Sequence, residues 1–241
     1  MRAISFDFWH TLFTEQPRAF EHYRGRRHRR LAEALEGNGK FSDDDIDRAF
    51  SLEAREHHRI WIEEQRTLSA SERLGKILDS LGARLAADEL SKLASDFEEG
   101  ILERPPVLVD GARDAVEALA ADYKLGIISD VGFSPGRVLR QVLAGTGLLN
   151  FFDSLVFSDE AGRAKPHAEM FNRTARALGV APREIVHVGD LEHTDVVGAK
   201  NAGWHAIRFI GVTPMLETEQ SAADRVTARL ADLLHLIGGL T

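Results

Sequence analysis

Three positions in this chain place an oxygen-bearing side chain at or near the end of a short apolar run. They are Asp7 in residues 3–8, Ser129 at the end of residues 124–129 and Asp190 at the end of residues 184–190. Side chains of this kind can attack an electrophile, ligate a metal ion through oxygen or bind anionic oxygens. Taken alone, an acid such as Asp7 more often caps the following turn, so the elements around it decide its role.

The apolar runs alternate with helical patterns, which predicts an α/β fold. We predict strands at Ala3 to Phe8, Lys124 to Ser129 and Glu184 to Asp190, and helices at Gly111 to Asp122, Pro135 to Gly145, His167 to Leu178 and Thr194 to Ala202. This alternation is typical of a Rossmann-like parallel sheet flanked by helices. Ligands bind beyond the carboxyl ends of such strands, where all three polar positions would lie.

Residues 15–99 follow a different pattern, with apolar residues three and four positions apart and no strand between them. We predict helices at Arg18 to Leu35, Ser42 to Gln65, Ser69 to Leu81 and Ala87 to Glu99. Ser42 with Asp45, and Ser69 with Glu72, have the spacing of capping pairs. The expected organisation is an α/β core of residues 1–14 and 100–241, interrupted by an all-α insertion.

Composition excludes several classes of protein. The chain has 241 residues, with 30 basic against 38 acidic side chains and a net charge of −8, which argues against a general nucleic-acid or anionic-membrane binder. It has no cysteine, which removes disulfides, thiolate zinc sites and thiol nucleophiles. No segment approaches the ~20 apolar residues of a membrane helix, and Asp7 interrupts the first apolar run too early for a signal peptide. We expect a cytoplasmic protein, either monomer or homodimer.

Four segments, in this order, resemble the motifs of the haloacid dehalogenase-like hydrolase superfamily. They are F-D-F-W-H-T-L (6–12), G-I-I-S-D (126–130), S-D-E-A-G-R-A-K-P (158–166) and V-G-D-L-E-H-T-D (188–195). The resemblance covers roughly residues 1–14 and 100–225. It implies that the helical insertion of residues 15–99 is a cap domain of that family.

The resemblance also implies catalytic roles. Asp7 would be the nucleophile that forms a covalent acyl intermediate, which water then hydrolyses. Thr11 and Ser129 would donate hydroxyl hydrogen bonds to the transferring group, and Lys165 would supply a positive charge.

A divalent cation is expected beside the nucleophile. Close carboxylates and an anionic substrate repel one another, and Lys165 supplies only one compensating charge. With no cysteine and no histidine pair at metal-binding spacing, the oxygen ligands favour Mg²⁺. The expected direct ligands are Asp7, Asp190 and the backbone carbonyl of Trp9. Asp195 is expected to support these ligands without binding the metal directly.

Trp9 departs from the pattern of the family's phosphatases, which carry a second Asp there as general acid and base. Such help is worth roughly 10²- to 10⁴-fold in rate, so we expect a slow enzyme. His10, where the family usually has Gly, could replace the missing group, although a role in packing or turn hydrogen bonding is favoured.

Trp9 also leaves two other functions open. The family's 2-haloacid dehalogenases carry a Tyr at this position and use no metal, but they lack the Gly-Asp pair that this chain keeps at Gly189 and Asp190. A metal-dependent phosphatase acting on a small phosphorylated metabolite is therefore favoured over a dehalogenase. The third alternative is a metal- or ligand-binding protein with little turnover.

Substrate contacts are expected from both parts of the chain. A basic cluster at residues 22–30 reads mainly as a solvated helix face, from which Arg24, Arg27 or Arg30 could bind a phosphate or carboxylate. His10 and Asp130 are further candidates. Two more groups are expected to have only packing roles: the set Phe50, His57, His58 and Trp61 inside the helical insertion, and His187 inside its strand.

Overall fold

A computed structural model describes residues 1–213 and 220–240. The first strand, β1 (Ala3–Phe6), is fully buried and is followed by the two-residue strand β2 (Phe13–Thr14). Four helices come next: α1 (Ala19–Ala34), α2 (Asp43–Glu64), α3 (Ala70–Leu81) and α4 (Ala87–Glu99). Both predicted capping pairs are confirmed, because Ser42 and Ser69 each accept from the backbone N–H three residues later.

The remaining chain largely alternates strands and helices, which is the pattern expected of the α/β core, and it includes elements that were not predicted one by one. In order these are β3 (Val107–Leu108), α5 (Ala112–Ala120), β4 (Lys124–Ser129), α6 (Gly136–Gly145), β5 (Ser154–Phe157), α7 (Ser158–Ala161), α8 (Ala168–Leu178), β6 (Ile185–Gly189), α9 (Val197–Asn201), β7 (His205–Phe209), β8 (Arg225–Thr227) and α10 (Leu233–Gly238). Within the described ranges, no helix has the length and hydropathy needed to cross a membrane.

Six strands form one parallel sheet in the order β5-β4-β1-β6-β7-β8. The fold class expected from the sequence is therefore confirmed. The strand order reverses at β1, which lies between β4 and β6, with Phe6 level with Ile127 and Val188. A crevice opens at such a reversal, beyond the carboxyl ends of the strands.

Strands β2 and β3 pair with each other in an antiparallel ribbon, Phe13 opposite Leu108 and Thr14 opposite Val107. These strands lie on the two connections between the sheet and the four helices. The pairing fixes both connections at one place, so helices α1 to α4 start and finish close to the carboxyl end of β1.

Two predicted elements differ from the structure in ways that affect the site. Strand β1 stops at Phe6 rather than Phe8, because the chain turns immediately after it to present Asp7. The predicted helix from Thr194 begins instead as a π-helical turn, Glu192–Val196, and continues as the short α9. The wider turn lies at Asp195, whose side chain faces the sheet; π turns of this kind are frequent at functional sites.

Candidate active site

The carboxyl ends of β1 and β6 bring three predicted acids together. Asp7 directly follows β1, Asp190 directly follows β6, and Asp195 lies in the π-helical turn. One oxygen from each carboxylate lies within 4.8 Å of the others, and all three side chains are buried. The structure thus collects side chains that are more than 180 residues apart in the chain.

Lys165 is the buried cation among these acids. Its Nζ lies 2.8 Å from Asp7 Oδ1 and donates to Asp195 Oδ1 at 2.6 Å and to the carbonyl of Ile128 at 3.1 Å. Burial disfavours its charge, but the surrounding carboxylates raise the pKa of Lys165 above its ordinary value. The site therefore holds three carboxylates against one ammonium.

Asp195 is fully engaged within the chain. Oδ1 lies near Lys165 and 3.1 Å from Nε2 of His187, while Oδ2 accepts from the backbone N–H of Leu191 at 2.9 Å. Burial alone would raise the pKa of Asp195, but Lys165 and His187 hold it below the ordinary range. Asp195 therefore has both oxygens engaged within the chain and lies in direct contact with Lys165; the support that Asp195 would give to the metal ligands stays a prediction.

Gly189 makes this arrangement sterically possible. A Cβ at residue 189 would lie 2.3 Å from Asp195 Cγ, which is far too close for two carbon atoms that are not bonded to each other. His187, as expected, is a core histidine with partners on both ring nitrogens, since Nδ1 lies 2.7 Å from the Ser5 hydroxyl.

Other oxygens at the site lack partners. Asp190 Oδ2 and Thr11 Oγ1 are buried without a hydrogen bond, and Asp7 Oδ1 has the Lys165 ion pair but no well-directed hydrogen bond. Burial raises the pKa of Asp7 to about 8; Lys165 opposes this shift, whereas Asp195 and Asp190 add to it. A further positive charge near these carboxylates would favour the ionised form of Asp7.

These donors fit a hard divalent cation. They are carboxylate oxygens, buried, close together and short of positive charge, which is the chemistry that Mg²⁺ requires of its ligands. Asp7 and Asp190 are the side chains placed to hold it, and the Trp9 carbonyl remains the predicted third ligand.

His10 makes an ion-pair contact with Asp190 Oδ2, the oxygen that has no hydrogen bond. Its backbone is left-handed at φ 54°, a conformation that suits the glycine expected here better than histidine. Nε2 lies 3.1 Å from Glu15 Oε2 and Nδ1 lies 3.7 Å from Asp190 Oδ2. The facing carboxylates of Asp190 and Glu15 raise the pKa of His10 to about 10.

Trp9 faces the same cavity as His10. Its ring packs edge-on against Phe8 with centroids 5.0 Å apart. An indole beside Asp7 adds apolar surface and a weak N–H donor, but no group that exchanges a proton at neutral pH.

Thr11 and Ser129 are fully buried beside the strand ends, and neither lines the cavity. The Ser129 hydroxyl donates to the carbonyl of Asp130 at 3.2 Å. Asp130 uses both carboxylate oxygens within the chain: Oδ1 accepts from the backbone N–H of Lys165 at 2.9 Å and Oδ2 from Trp61 Nε1 at 2.8 Å. Burial raises the pKa of Asp130 to about 6, against the opposing effects of Lys165 and Trp61.

A cavity of about 900 Å³ extends from Asp7 toward the helical insertion. Its aromatic and aliphatic lining consists of Trp9, Phe20, Tyr23, Phe50, Ala54, Trp61, Ile101, Val131, Phe133 and Leu191. Arg24 and Arg27 also line it. Arg30 does not; it pairs with Glu33 and Asp96.

The expectation that Phe50, His57, His58 and Trp61 only pack within the insertion is wrong, because all four face this cavity. Phe50 also packs against Phe97, with ring centroids 6.2 Å apart. Helix α2 buries residues such as Ile46 and Ala49 against α3 and turns a second face to the cavity. The periodicity of α2 did not distinguish these two faces.

Two further contacts at the site were not predicted. Trp61 links α2 to Asp130, and Arg208 on β7 donates from Nε to the carbonyl of Asp190 at 3.2 Å. Arg208 follows the apolar residues Ala206 and Ile207 in the short strand β7, and a charged residue in such a run is the sequence signal that could have indicated a buried partner.

The sequence profile of the haloacid dehalogenase-like hydrolases matches residues 1–203. Among curated proteins, the chain is 34% identical over 132 residues to the glyceraldehyde 3-phosphate phosphatase of Pyrococcus furiosus, covering 54% of each protein. It is 40% identical over 94 residues to the pyrimidine 5'-nucleotidase YjjG of Escherichia coli, covering 39% of this chain and 40% of that protein. The matches thus span about half or less of these relatives.

Solved structures resemble the whole chain. A phosphatase of the same family from Thermococcus onnurineus is 25% identical, with a TM-score of 0.67 over 99% of each chain. A 2-haloacid dehalogenase from Pseudomonas syringae is 22% identical, with a TM-score of 0.73 over 99% of this chain and 98% of the other, a likeness of fold alone.

Proposed function

The chain belongs to the haloacid dehalogenase-like hydrolases. On that premise, we propose that it is a Mg²⁺-dependent phosphatase, which acts on a small phosphorylated metabolite through a phosphoaspartate at Asp7. The observation that carries the proposal is the cluster of three buried carboxylates around one lysine, in which Asp190 Oδ2 has no hydrogen bond and only a 3.7 Å ion-pair contact with His10. The phosphatase and nucleotidase names of the curated relatives support it.

Asp7 would attack the phosphorus atom, forming an oxygen–phosphorus bond as the bond to the leaving alkoxide breaks. Water would then attack the phosphoaspartate, releasing phosphate and restoring the carboxylate. Lys165, oriented by Asp195, holds Asp7 Oδ1 in place throughout. Thr11 and Ser129 are the proposed hydroxyl donors; Ser129 would have to exchange its hydrogen bond to the Asp130 carbonyl for one to the phosphate. When bound, Mg²⁺ supplies the positive charge that keeps Asp7 ionised and offsets the negative charge of the phosphate.

Turnover is proposed to be slow for esters with poor leaving groups. The alkoxide that leaves needs a proton, and Trp9 has none to give at neutral pH. Loss of general acid–base help costs roughly 10²- to 10⁴-fold in rate. Activated esters such as p-nitrophenyl phosphate, whose leaving group needs no proton, are therefore the substrates of choice for a first assay.

Trp9 also favours a second candidate, a metal-independent 2-haloacid dehalogenase, because displacement of halide requires no acid. Against it, burial raises the pKa of Asp7, and Asp195 and Asp190 add to that shift against the opposing effect of Lys165, so the surplus carboxylates disfavour the ionised form of Asp7 that would attack carbon. The third candidate is a binding protein with little turnover, which the same absence of an acid at residue 9 would produce.

Residues 15–99 are proposed to form a cap domain that covers the site. Helix α2 is tied to the sheet end by the Trp61 to Asp130 hydrogen bond, and Thr67 Oγ1 lies 2.6 Å from Ser158 Oγ. Such covering excludes bulk water from the phosphoaspartate. The cytoplasmic location expected from the composition stays a prediction.

One assay separates the three candidates. Phosphate release from p-nitrophenyl phosphate is measured with Mg²⁺ and with chelator, and chloride release from 2-chloropropionate is measured under both conditions. Phosphate release that requires Mg²⁺ and is lost in Asp7→Asn supports the proposal. Chloride release that is indifferent to metal would instead identify a dehalogenase. If neither compound gave a product, the binding protein would be the remaining candidate. Asp190→Asn should abolish the response to Mg²⁺, whereas Asp224→Asn, at a partly exposed ion pair with Lys200, should retain it.

A further inference from the structure

The cavity that begins at Asp7 has a second charged region. Arg27, from the middle of α1, lines it together with Phe133, which follows β4 by four residues. The Arg27 guanidinium lies over the Phe133 ring, 4.2 Å from its centroid.

Arg27 differs from Arg24, Arg26 and Arg30 of the same helix in having no carboxylate partner among the described residues, and it differs from Arg29, which also has none, in being partly buried rather than exposed. Arg24 pairs with Asp47 at 3.1 Å, Arg26 with Asp96 at 2.7 Å, and Arg30 with Asp96 at 3.1 Å. In the parts of the chain that the structure describes, no carboxylate lies within ion-pair distance of Arg27, and its recorded contact is the aromatic face of Phe133. A partly buried guanidinium with unused donors is costly unless a ligand uses them.

The neighbouring charges leave this region positive. Arg73 also lies over Phe133, 3.6 Å from the centroid, but the buried Glu53 neutralises it through two hydrogen bonds of 2.6 and 2.9 Å. Burial and the nearby Arg73 and Arg26 lower the pKa of Arg27 to about 10, so it stays charged at neutral pH. One guanidinium therefore remains uncompensated.

Two neutral polar atoms in the lining also lack partners. His57 Nδ1 and Ser134 Oγ are buried without a hydrogen bond, and both residues line the same cavity. Burial lowers the pKa of His57 to about 4, so its ring is neutral. The part of the cavity formed by the helical insertion therefore has unsatisfied polar atoms in addition to the guanidinium of Arg27.

We propose that Arg27 binds a second anionic group of the substrate, so that the substrate is a phosphate monoester that also carries a carboxylate or a second phosphate. This inference rests on the proposed function, in that the first phosphate is taken to lie at Asp7. The same cavity has a largely aromatic and aliphatic lining, which suits the carbon skeleton that would join the two anions. Guanidinium groups bind carboxylate and phosphate in the same bidentate manner, so the geometry does not choose between the two.

The test compares esters that differ only in the remote group. Glycerol 3-phosphate is paired with 3-phosphoglycerate, phenyl phosphate with 4-carboxyphenyl phosphate, and fructose 6-phosphate with fructose 1,6-bisphosphate. We expect kcat/KM to be at least about tenfold higher for an anionic member than for its neutral partner, the effect of one charge-assisted contact. The first two pairs report a carboxylate and the third a second phosphate.

Arg27→Gln should bring that ratio to within about twofold of unity, mainly by raising KM for the anionic ester, whereas Arg27→Lys should restore part of it. Arg29→Gln is the matched control: it removes the same charge two residues away on an exposed side chain outside the cavity lining. Equal ratios for the wild type and Arg27→Gln, or an equal loss in Arg29→Gln, would overturn the assignment.

Thermal stabilisation of the Asp7→Asn variant by the same esters separates the two hypotheses, because it requires no turnover. A larger rise in Tm with the anionic esters, lost on adding Arg27→Gln, supports the Arg27 site even if no phosphate is ever released. Turnover of the neutral esters without any anion preference would retain the phosphatase and refute the Arg27 site.

Discussion

Replacement of Lys165 by Met tests the charge balance of the site most severely. Methionine fills a similar volume but leaves Asp7 and Asp195 without the ammonium that lies 2.8 and 2.6 Å from them. Lys165 is only 2% exposed, so water cannot take its place. Removing one partner of a buried ion pair typically costs about 3–5 kcal/mol. For a chain of this length that corresponds to a fall in Tm on the order of 10 °C.

The assay is thermal unfolding with chelator present and again with Mg²⁺. We expect Lys165→Met to unfold far below the wild type in chelator. Mg²⁺ should raise its Tm more than it raises that of the wild type, because three carboxylates then face the cation without competition from the ammonium. Catalytic activity should be lost under both conditions.

Lys200→Met is the matched control, since Lys200 forms a partly exposed ion pair with Asp224 at 2.7 Å. A pair of this kind is worth about 0–1 kcal/mol. The reasoning would be refuted if Lys165→Met lost no more stability than Lys200→Met, or if Mg²⁺ stabilised it less than the wild type.

Three further outcomes are expected. Gly189→Ala places a Cβ 2.3 Å from Asp195 Cγ, so it should lower the free energy of unfolding by about 1–3 kcal/mol and remove most of the activity. Gly75→Ala, with open space around it, should not destabilise the protein, and equal Tm values for the two variants would contradict this prediction. Trp9→Asp should raise kcat for an unactivated alkyl phosphate, by up to about 10²-fold, and Trp9→Phe should not; an unchanged kcat would mean that acid–base help is not limiting. Burial lowers the pKa of His57 to about 4, so as pH falls the unfolded chain binds the extra proton first, and stability is lost between about pH 6.5 and pH 4. His57→Gln should therefore flatten the slope of Tm against pH in this range. An unaltered slope would refute the assignment.

The sequence predicted the sheet end that carries the site, because buried parallel strands are continuous apolar runs whose polar ends are easily seen. Strand β4 matches its predicted bounds, and β6 differs by one residue at each end. The helices of the insertion were predicted within one residue, since capping residues such as Ser42 and Ser69 mark where they begin.

Strands β5, β7 and β8 were not predicted. They have four, five and three residues, and β7 begins with His205 and contains the charged Arg208, so neither length nor apolar continuity distinguishes them. Their strand conformation depends on pairing with neighbours that are distant in sequence.

The sequence also did not predict which side chains of the helical insertion point into the cavity. Arg27 and Trp61 lie on amphipathic helices whose polar and apolar residues are compatible with more than one orientation. Arg27 lines the cavity while Arg26, one residue before it, pairs with Asp96 and Glu103. That difference arises from how α1 packs against α4, which a single sequence does not specify.

Acid-quenched single-turnover mixtures of the enzyme, Mg²⁺ and a phosphate ester, followed by peptide mass spectrometry, test the central proposal most directly. We predict that the peptide containing Asp7 gains the mass of one phosphoryl group, and that the adduct is absent with chelator, in Asp7→Asn and in Asp190→Asn. Full phosphate release with no adduct on Asp7 under conditions that trap acyl phosphates, or an adduct that forms equally well without Mg²⁺, would contradict the account.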